Sequence, residues 1–332
     1  MFEVQTISHT NSYNQNEINT TISKISEGNL SVQVYTLLQN ARILISHKEK
    51  QLALALLRQA SNLQSHPIIF AELTQVLVSL NRWEESYMVA KQWYQRDIDF
   101  LSTYYLAQIE YQIGKDEQSL KNYFEALAFV HEPRSELFEI FKNIGNLFVR
   151  RGDFESAEEF YNKAYALKTD SDILLVNYGI LEMQRGELNR ARDRFRSAIQ
   201  YNDRNDKAWV GLAMAHFDFG DEELGVANLK KAIDIDPQNR TALQLALQKL
   251  NPAIYGIYLI EVISQFLSFV DNDPEMSCHL IQLFVSRGQY SLASLEAQRL
   301  VLWNPDSEKY NQILFQLENQ SHQSQGVKNA TC

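Results

Sequence analysis

The sequence predicts an all-α fold in which helical hairpins stack into a solenoid. Three observations lead to this prediction. The stretch from Phe138 to Asn239 consists of three copies of a 34-residue pattern. Apolar residues in each copy recur at the three- and four-residue spacing that places them on one face of a helix. Each copy also carries a glycine followed by an acidic residue near its centre, which is typical of a turn between two helices.

The turns of the three copies lie at Gly152-Asp153, Gly186-Glu187 and Gly220-Asp221. Glycine accepts positive φ at a helix end, and the acid lies near the positive end of the next helix dipole. Aromatic or large apolar residues face each other across the turn. They are Phe141, Leu175 and Trp209 in the first helices, and Tyr161, Phe195 and Leu229 in the second.

Small residues occupy the positions where the two helices of each copy are expected to cross most closely. They are Gly145, Ala157, Gly179, Ala191 and Ala213. A larger side chain there would hold the two backbones apart. Because one such hairpin is too small to bury its own apolar face, the copies are expected to stack into a continuous core.

The spacing resembles the tetratricopeptide repeat, whose unit carries W-x2-L-G-x2-Y, then A-x3-F and a terminal proline. The third copy ends with Asp236-Pro237, at the place of that proline. The resemblance implies a right-handed α-solenoid, or superhelix, of about eight helix-turn-helix units. It also implies a concave surface lined by the first helices, on which such proteins bind peptides.

The same period extends on both sides of the three clear copies. We expect a disordered segment at 1–30, a solenoid at 31–319 and a flexible tail at 320–332. Asn81 takes the place of the turn glycine in the second unit, since asparagine tolerates positive φ. The expected units lie near 34–66, 67–99, 100–133, 138–171, 172–205, 206–239, 240–273 and 274–307, followed by a capping helix at 308–319.

The unit at 240–273 is irregular. Asn251-Pro252 is expected to end its first helix early, because proline disfavours α geometry in the preceding residue. The stretch from Ala253 to Val270 is apolar on nearly every face, so it is either a helix buried between its neighbours or a surface for a partner or a second copy. Glu261 and the position within the array make a membrane span improbable. The residues of this possible interface are Tyr255, Tyr258, Phe266 and Phe269.

Composition and motifs argue against catalysis and against nucleic acid. The chain has 31 basic and 41 acidic residues, a net charge of -10, whereas a nucleic-acid surface would be basic. No common zinc, phosphate-loop or dinucleotide motif is present, and the seven histidines are scattered. We therefore expect no enzyme, no cofactor and no metal. Two cysteines and no targeting segment favour the cytoplasm.

The resemblance assigns residues of the third unit to the concave surface. By that register Tyr104, Tyr105, Gln108 and Tyr111 would form a tyrosine and glutamine surface. Tyrosine provides a large contact area at a low entropic cost, which suits an extended peptide. The alternative is that these side chains fill a narrow space between adjacent helices.

A second candidate is a carboxylate clamp. Family members that hold the C-terminal tails of chaperones use lysines, asparagines and an arginine at set positions. Four of these positions are occupied here by Lys142, Asn146, Asn177 and Lys207, and the fifth, the arginine, is replaced by Gly211. Two ammonium groups and two amides suit a terminal carboxylate, although lysine does not replace the bidentate arginine.

The sequence thus predicts a non-enzymatic scaffold or adaptor that binds a peptide or helix of another protein. The alternative is a chaperone or co-chaperone module, either of the clamp type or of the secretion or pilus-assembly type. Membrane insertion is not expected, and self-association through the apolar stretch at 253–270 is possible.

Overall fold

The protein is all-α, as predicted. The structure, a computed structural model, describes residues 29–329, with side chains as far as residue 320. This described part contains seventeen helices and no strand. The segment predicted to be disordered, 1–30, lies almost entirely outside the described residues.

The chain divides into two compact units. Unit 1 ends at Leu181, and unit 2 begins at Glu182. The division falls inside helix α9, Asp172–Gln184. The described part of unit 1 contains the eight preceding helices. These are α1 (Val32–Ser46), α2 (Lys50–Leu63), α3 (Pro67–Ser79), α4 (Trp83–Arg96), α5 (Phe100–Gln112), α6 (Asp116–Ala128), α7 (Glu136–Arg151) and α8 (Phe154–Leu167).

Unit 2 continues the alternation of first and second helices. Its helices are α10 (Leu188–Tyr201), α11 (Asp206–Asp218), α12 (Glu222–Ile235), α13 (Arg240–Lys249), α14 (Pro252–Phe269), α15 (Pro274–Ser286), α16 (Tyr290–Trp303) and α17 (Glu308–Asn329). Within each unit a helix contacts the helices next to it in the chain. Its apolar core therefore runs along the stack.

The turns between helices depend on residues that accept positive φ. Five glycines, from Gly114 to Gly288, have φ between 70° and 79°. In the first two hairpins their place is taken by Lys48, at φ 66°, and Asn81, at φ 57°. The prediction that Asn81 replaces the glycine is confirmed.

Two of the three acidic residues after the glycines, Asp153 and Asp221, cap the following helix through their side chains, whereas Glu187 does not. The Asp153 carboxylate accepts a hydrogen bond from the Ser156 amide at 3.1 Å, and Asp221 accepts one from the Leu224 amide at 3.2 Å. Each bond satisfies a backbone donor that the first turn of a helix leaves without a partner. The acid therefore acts through a direct hydrogen bond, in addition to its favourable charge.

The close crossing of the two helices explains the small residues. A β-carbon added to Gly145 would lie 2.3 Å from the Tyr161 ring, so no larger residue fits against that ring. Ala157, Ala191 and Ala213 are fully buried, as the spacing predicts. Their full burial is consistent with close helix crossings at these positions.

The irregular unit begins and ends its helices where the sequence predicts. Helix α13 ends at Lys249, just before Asn251 and Pro252. The Asn251 side chain accepts a hydrogen bond from the Ala253 amide at 2.9 Å, and Pro252 occupies the first turn of α14. Proline is tolerated there because it has no amide hydrogen to leave unpaired.

The C-terminal helix is longer than the sequence predicts. Tyr310, Ile313, Leu314 and Leu317 pack against the core of unit 2, but the helix continues to Asn329, through a stretch expected to be a flexible tail. The prediction ended the helix where the apolar spacing stops.

Arginine at position 191 tests the crossing contact. Ala191→Arg places an unpaired charge between two packed helices and should lower the free energy of unfolding by roughly 3 kcal/mol or more. Ala227→Arg, at an exposed position of α12, is the matched control. Thermal melting checks both variants. Equal melting temperatures for the two would contradict the assigned register.

Candidate functional site

The four residues of the predicted tyrosine surface are buried in unit 1. Tyr104, Tyr105, Gln108 and Tyr111 each expose 6% or less of their surface. The Tyr104 ring stacks on Phe100 with centroids 5.9 Å apart, and Tyr105 packs against Trp93 at 5.5 Å. These rings fill the space between neighbouring helices, which is the alternative that the sequence left open.

The burial arises because successive first helices approach one another in unit 1. Helix α5 contacts α3 and α7 in addition to α4 and α6. Almost every residue from Phe100 to Tyr111 is therefore buried. Spacing along one helix identifies the face that its own hairpin leaves free, but not the distance to the next first helix.

Asparagines and tyrosines form a hydrogen-bonded ladder across four helices of unit 1. Asn146 donates from Nδ2 to the Tyr111 hydroxyl at 2.9 Å. Its Oδ1 accepts from the Tyr161 hydroxyl at 2.7 Å and from Asn177 Nδ2 at 2.8 Å. Burial raises the pKa of Tyr161 well above its ordinary value, so this phenol remains a donor. We call these four residues the asparagine ladder.

Two of the predicted clamp residues, Asn146 and Asn177, are therefore in contact, but this contact is one of the hydrogen bonds of the asparagine ladder. Asn146 uses its oxygen twice and one amide hydrogen within the fold. Lys142 is almost fully buried, and its ammonium donates to the Glu139 carboxylate at 2.5 Å. Glu139 lies one turn earlier on α7 and already supplies an anion to this lysine. This pairing was not predicted from the sequence.

The other two clamp positions lie on α11 in unit 2. Lys207 is in the first turn and is partly exposed. Gly211, at the position of the missing arginine, faces the Phe195 ring, and an added β-carbon would lie 2.3 Å from it. The glycine is therefore a packing residue, which excludes an arginine at this position without rearrangement of α10.

A repeated amide position was not identified from the sequence. The ninth residue of the repeat is an amide in five of the eight units. These are Gln75, Gln108 and Asn146 in unit 1, and Gln248 and Gln282 in unit 2, whereas the other three units carry Arg42, Ile180 and Met214 there. Gln248 and Gln282 are exposed, on α13 and α15, and are separated by one 34-residue period. We call these five residues the amide row. Their shared position in the repeat is the feature of the sequence from which they could have been identified.

The outward residues of α14 differ from the predicted interface. Phe266 lies in the core of unit 2, and Tyr255 and Tyr258 are partly buried beneath the Lys230 ammonium, 5.5 and 4.8 Å from their ring centroids. Only Phe269 of the predicted set is exposed. Isoleucines at 254 and 257 face outward in their place, because the helix turns its aromatic residues toward α12.

The Tyr258 hydroxyl is buried. Burial raises the pKa of Tyr258 to about 12, and the hydroxyl has no hydrogen-bond partner among the described residues. A buried unpaired hydroxyl costs free energy, so this tyrosine is poorly suited to be an interface residue in its present position. The cation over its ring compensates part of that cost.

The described residues include one helix that could cross a membrane and no group of metal ligands. Helix α14 is long and apolar enough to cross a membrane by length and composition, the one such helix in the described residues, although Leu259 and Ile263 are fully buried in the core of unit 2. In the same part of the chain, no three histidine, cysteine or acidic side chains group together as metal ligands do.

Comparisons with known proteins identify one family. Two sequence models of the tetratricopeptide repeat match residues 99–170 and 179–240. Photosystem I assembly protein Ycf3 of Rippkaea orientalis is 29% identical over 96 residues, which are 29% of this chain and 55% of that protein. BBSome complex member BBS4 of Mus musculus is 28% identical over 102 residues, 31% of this chain and 19% of that protein. The matches thus span about half or less of these relatives.

Solved structures show the same fold at low identity. A tetratricopeptide repeat protein from Parabacteroides merdae superposes with a TM-score of 0.51 at 14% identity, covering 87% of this chain and all of that one. The hetero-tetramer Cut9-Hcn1 of the APC/C superposes with a TM-score of 0.51 at 12% identity, covering 85% of this chain and 55% of that one. These likenesses concern the helical solenoid.

The asparagine ladder yields a stability prediction. Asn146→Ala removes a group that satisfies Tyr111, Tyr161 and Asn177, and should lower the free energy of unfolding by about 1–3 kcal/mol. In a double-mutant cycle, Tyr161→Phe should cost less in the Asn146→Ala background than in the native chain. Urea denaturation gives both values. Strictly additive losses would show that the ladder is not a unit.

Proposed function

Because the chain is a tetratricopeptide repeat protein, we propose that it is a non-enzymatic scaffold that binds an extended segment of a partner protein along its first helices. The observation that carries this proposal is the amide row. Carboxamides at one repeat position offer a donor and an acceptor on successive hairpins. An extended peptide presents backbone donors and acceptors at regular intervals, so the two patterns are complementary.

The accessible part of the amide row lies in unit 2. Gln248 and Gln282 are exposed on neighbouring first helices, with the partly exposed Gln244 one turn before Gln248. In unit 1 the corresponding face is occupied by the buried tyrosines and the asparagine ladder. Unit 2 is therefore the part of the chain that we assign to partner binding.

The relatives support a role in assembly. One is named an assembly protein and another a member of a complex, and the match covers 55% of the first and 19% of the second. We infer that this chain likewise brings protein components together. Its modest acidity leaves a protein partner, rather than a nucleic acid, as the class that suits the surface.

Affinity capture with a matched pair of variants tests the proposal. The full chain, its Gln248→Arg/Gln282→Arg variant and a Gln238→Arg/Gln289→Arg control are used as baits, followed by mass spectrometry. The control residues are exposed glutamines in turns. A partner bound by the native chain and the control should be lost, at least tenfold, from the amide-row variant. Equal recovery by all three baits would contradict the assignment.

A carboxylate-clamp chaperone is the second candidate. The observation in its favour is that Asn146 and Asn177, two of the four matching clamp residues, lie within hydrogen-bonding distance of each other, although that bond is part of the asparagine ladder. Peptides with free and amidated C-termini separate this candidate from the first. A clamp binds the free form more tightly and loses that preference in Lys142→Ala/Lys207→Ala. Equal affinity for the free and the amidated peptides would rule out the clamp and leave the amide row as the proposed binding surface.

A further inference from the structure

The glutamines on the first helices of unit 2 continue onto the last helix, α17. Gln316 lies one 34-residue period after Gln282, and Gln312 lies one turn before it, as Gln244 lies one turn before Gln248. All of these side chains are exposed except Gln244, which is partly exposed. We call these five residues the glutamine strip.

The three first helices that carry the strip lie side by side and are tied together at their N-terminal ends. Arg240 at the start of α13 donates from Nε to Asp273 at 2.9 Å and from Nη2 to Glu275 at 2.5 Å, both at the start of α15. Asn304, shortly before α17, donates from Nδ2 to Asn272, shortly before α15, at 3.1 Å. These ties hold the helices in register, so residues one period apart lie at the same level of neighbouring helices.

Helices α15 and α17 also approach each other within the strip. Burial raises the pKa of Cys278 on α15, and the nearby Lys309 ammonium on α17 partly offsets that rise. Cys278 holds the position on α15 that Gln244 and Gln312 hold on their own helices. Because its pKa is raised, the thiol is neutral at pH 7. The strip therefore crosses α15 without meeting a charge at this position.

The whole middle of this surface is uncharged. At the fifth, ninth and twelfth repeat positions these three helices carry only glutamine, asparagine, cysteine and valine, although 22% of the chain is charged. The residues at the twelfth position are Asn251, Val285 and Asn319. Charges begin only nearer the N-terminal ends of the helices, at Glu275 and Lys309. The surface thus offers hydrogen bonds but no ion pairs.

The carboxamides of the strip are not used by the fold. None of the five makes a hydrogen bond to another side chain or to the backbone of the residues that the structure describes. In unit 1, by contrast, the Asn146 oxygen accepts two hydrogen bonds within the fold. Each glutamine of the strip therefore keeps its acceptor and its two donors for a ligand.

We propose that α17 is a third helix of the partner-binding site, and that the glutamine strip binds an extended segment without charged side chains. This inference rests on the proposed function, which assigns only α13 and α15 to that site. Neighbouring helices lie about 8–10 Å apart and an extended chain rises about 3.3 Å per residue, so about three residues pass each helix. A segment of roughly eight residues spans the strip.

An uncharged extended segment suits this surface better than a charged peptide or a helix. A charged side chain would lose hydration there without gaining a counter-ion. A helix has already paired its backbone N–H and C=O groups with each other, so it leaves the glutamines little to bind. An extended segment presents both groups at regular intervals. Because no ion pair is formed, the affinity should not depend on salt.

An array of random peptides tests the chemistry of the ligand, with the full chain as the binding protein. Peptides of about twelve residues are long enough to cross the strip at about 3.3 Å per residue. The bound peptides should be poor in Asp, Glu, Lys and Arg, and the Kd of a neutral one should be the same at low and high salt. A bound set dominated by charged or helix-forming peptides would overturn the inference.

A neutral peptide selected from the array then tests the role of α17 by fluorescence anisotropy. Gln312→Arg/Gln316→Arg should raise its Kd at least tenfold, and Gln312→Ala/Gln316→Ala, which adds no charge, should also raise it. Gln289→Arg/Gln298→Arg is the matched control, because both residues are exposed glutamines at or on the second helix α16. The control should leave Kd unchanged. Circular dichroism checks that every variant is folded.

The same titration separates this inference from the proposed function. If Gln248→Arg/Gln282→Arg abolishes binding while both α17 variants bind as the native chain does, α17 lies outside the site. The inference then fails and the proposed function stands. A native chain that binds no peptide, or binding that none of these variants weakens, would contradict both.

Discussion

No hairpin of this chain is able to bury its apolar side chains alone, and the rest of the structure depends on that constraint. Closure begins with a small residue set against a ring, as Gly145 is set against Tyr161 and Gly225 against Phe217. The close approach brings two backbones together but leaves a second apolar side open on each hairpin. Only the next hairpin covers it, so the core of each unit is built by addition.

The exposure of the first-helix side chains follows from how tightly the hairpins stack. In unit 1, tyrosines and asparagines on the first helices reach their neighbours and fill the space between them. Tyr104 and Tyr105 become part of the core, and Asn146 joins four helices. In unit 2, glutamines occupy comparable positions and stay exposed. One repeat pattern therefore yields a closed surface in one unit and an open one in the other, through side-chain size and hydrogen bonding.

The parts that the sequence predicted are those governed by local geometry. Positive φ at Asn81, the early end of α13 before Pro252 and the burial of Ala191 follow from backbone sterics and helical spacing, which act within one hairpin. The parts that it missed depend on neighbours. Lys142 is paired by Glu139, the site of the missing arginine is filled by Phe195, and Phe266 turns inward on α14. The last two outcomes are set by the distances between helices, which one sequence does not contain, whereas the Lys142–Glu139 pair lies within one helix at a spacing that the sequence does show.

Hydrogen exchange of the full chain, resolved by helix, tests the stacking account most directly. A helix covered on both sides should exchange more slowly than one covered on a single side. The account predicts slow exchange for α5, Phe100–Gln112, and clearly faster exchange for the start of α17, at 308–319. Uniform protection of both segments, or slower exchange in α17, would contradict the claim that each hairpin is stabilised by its neighbours.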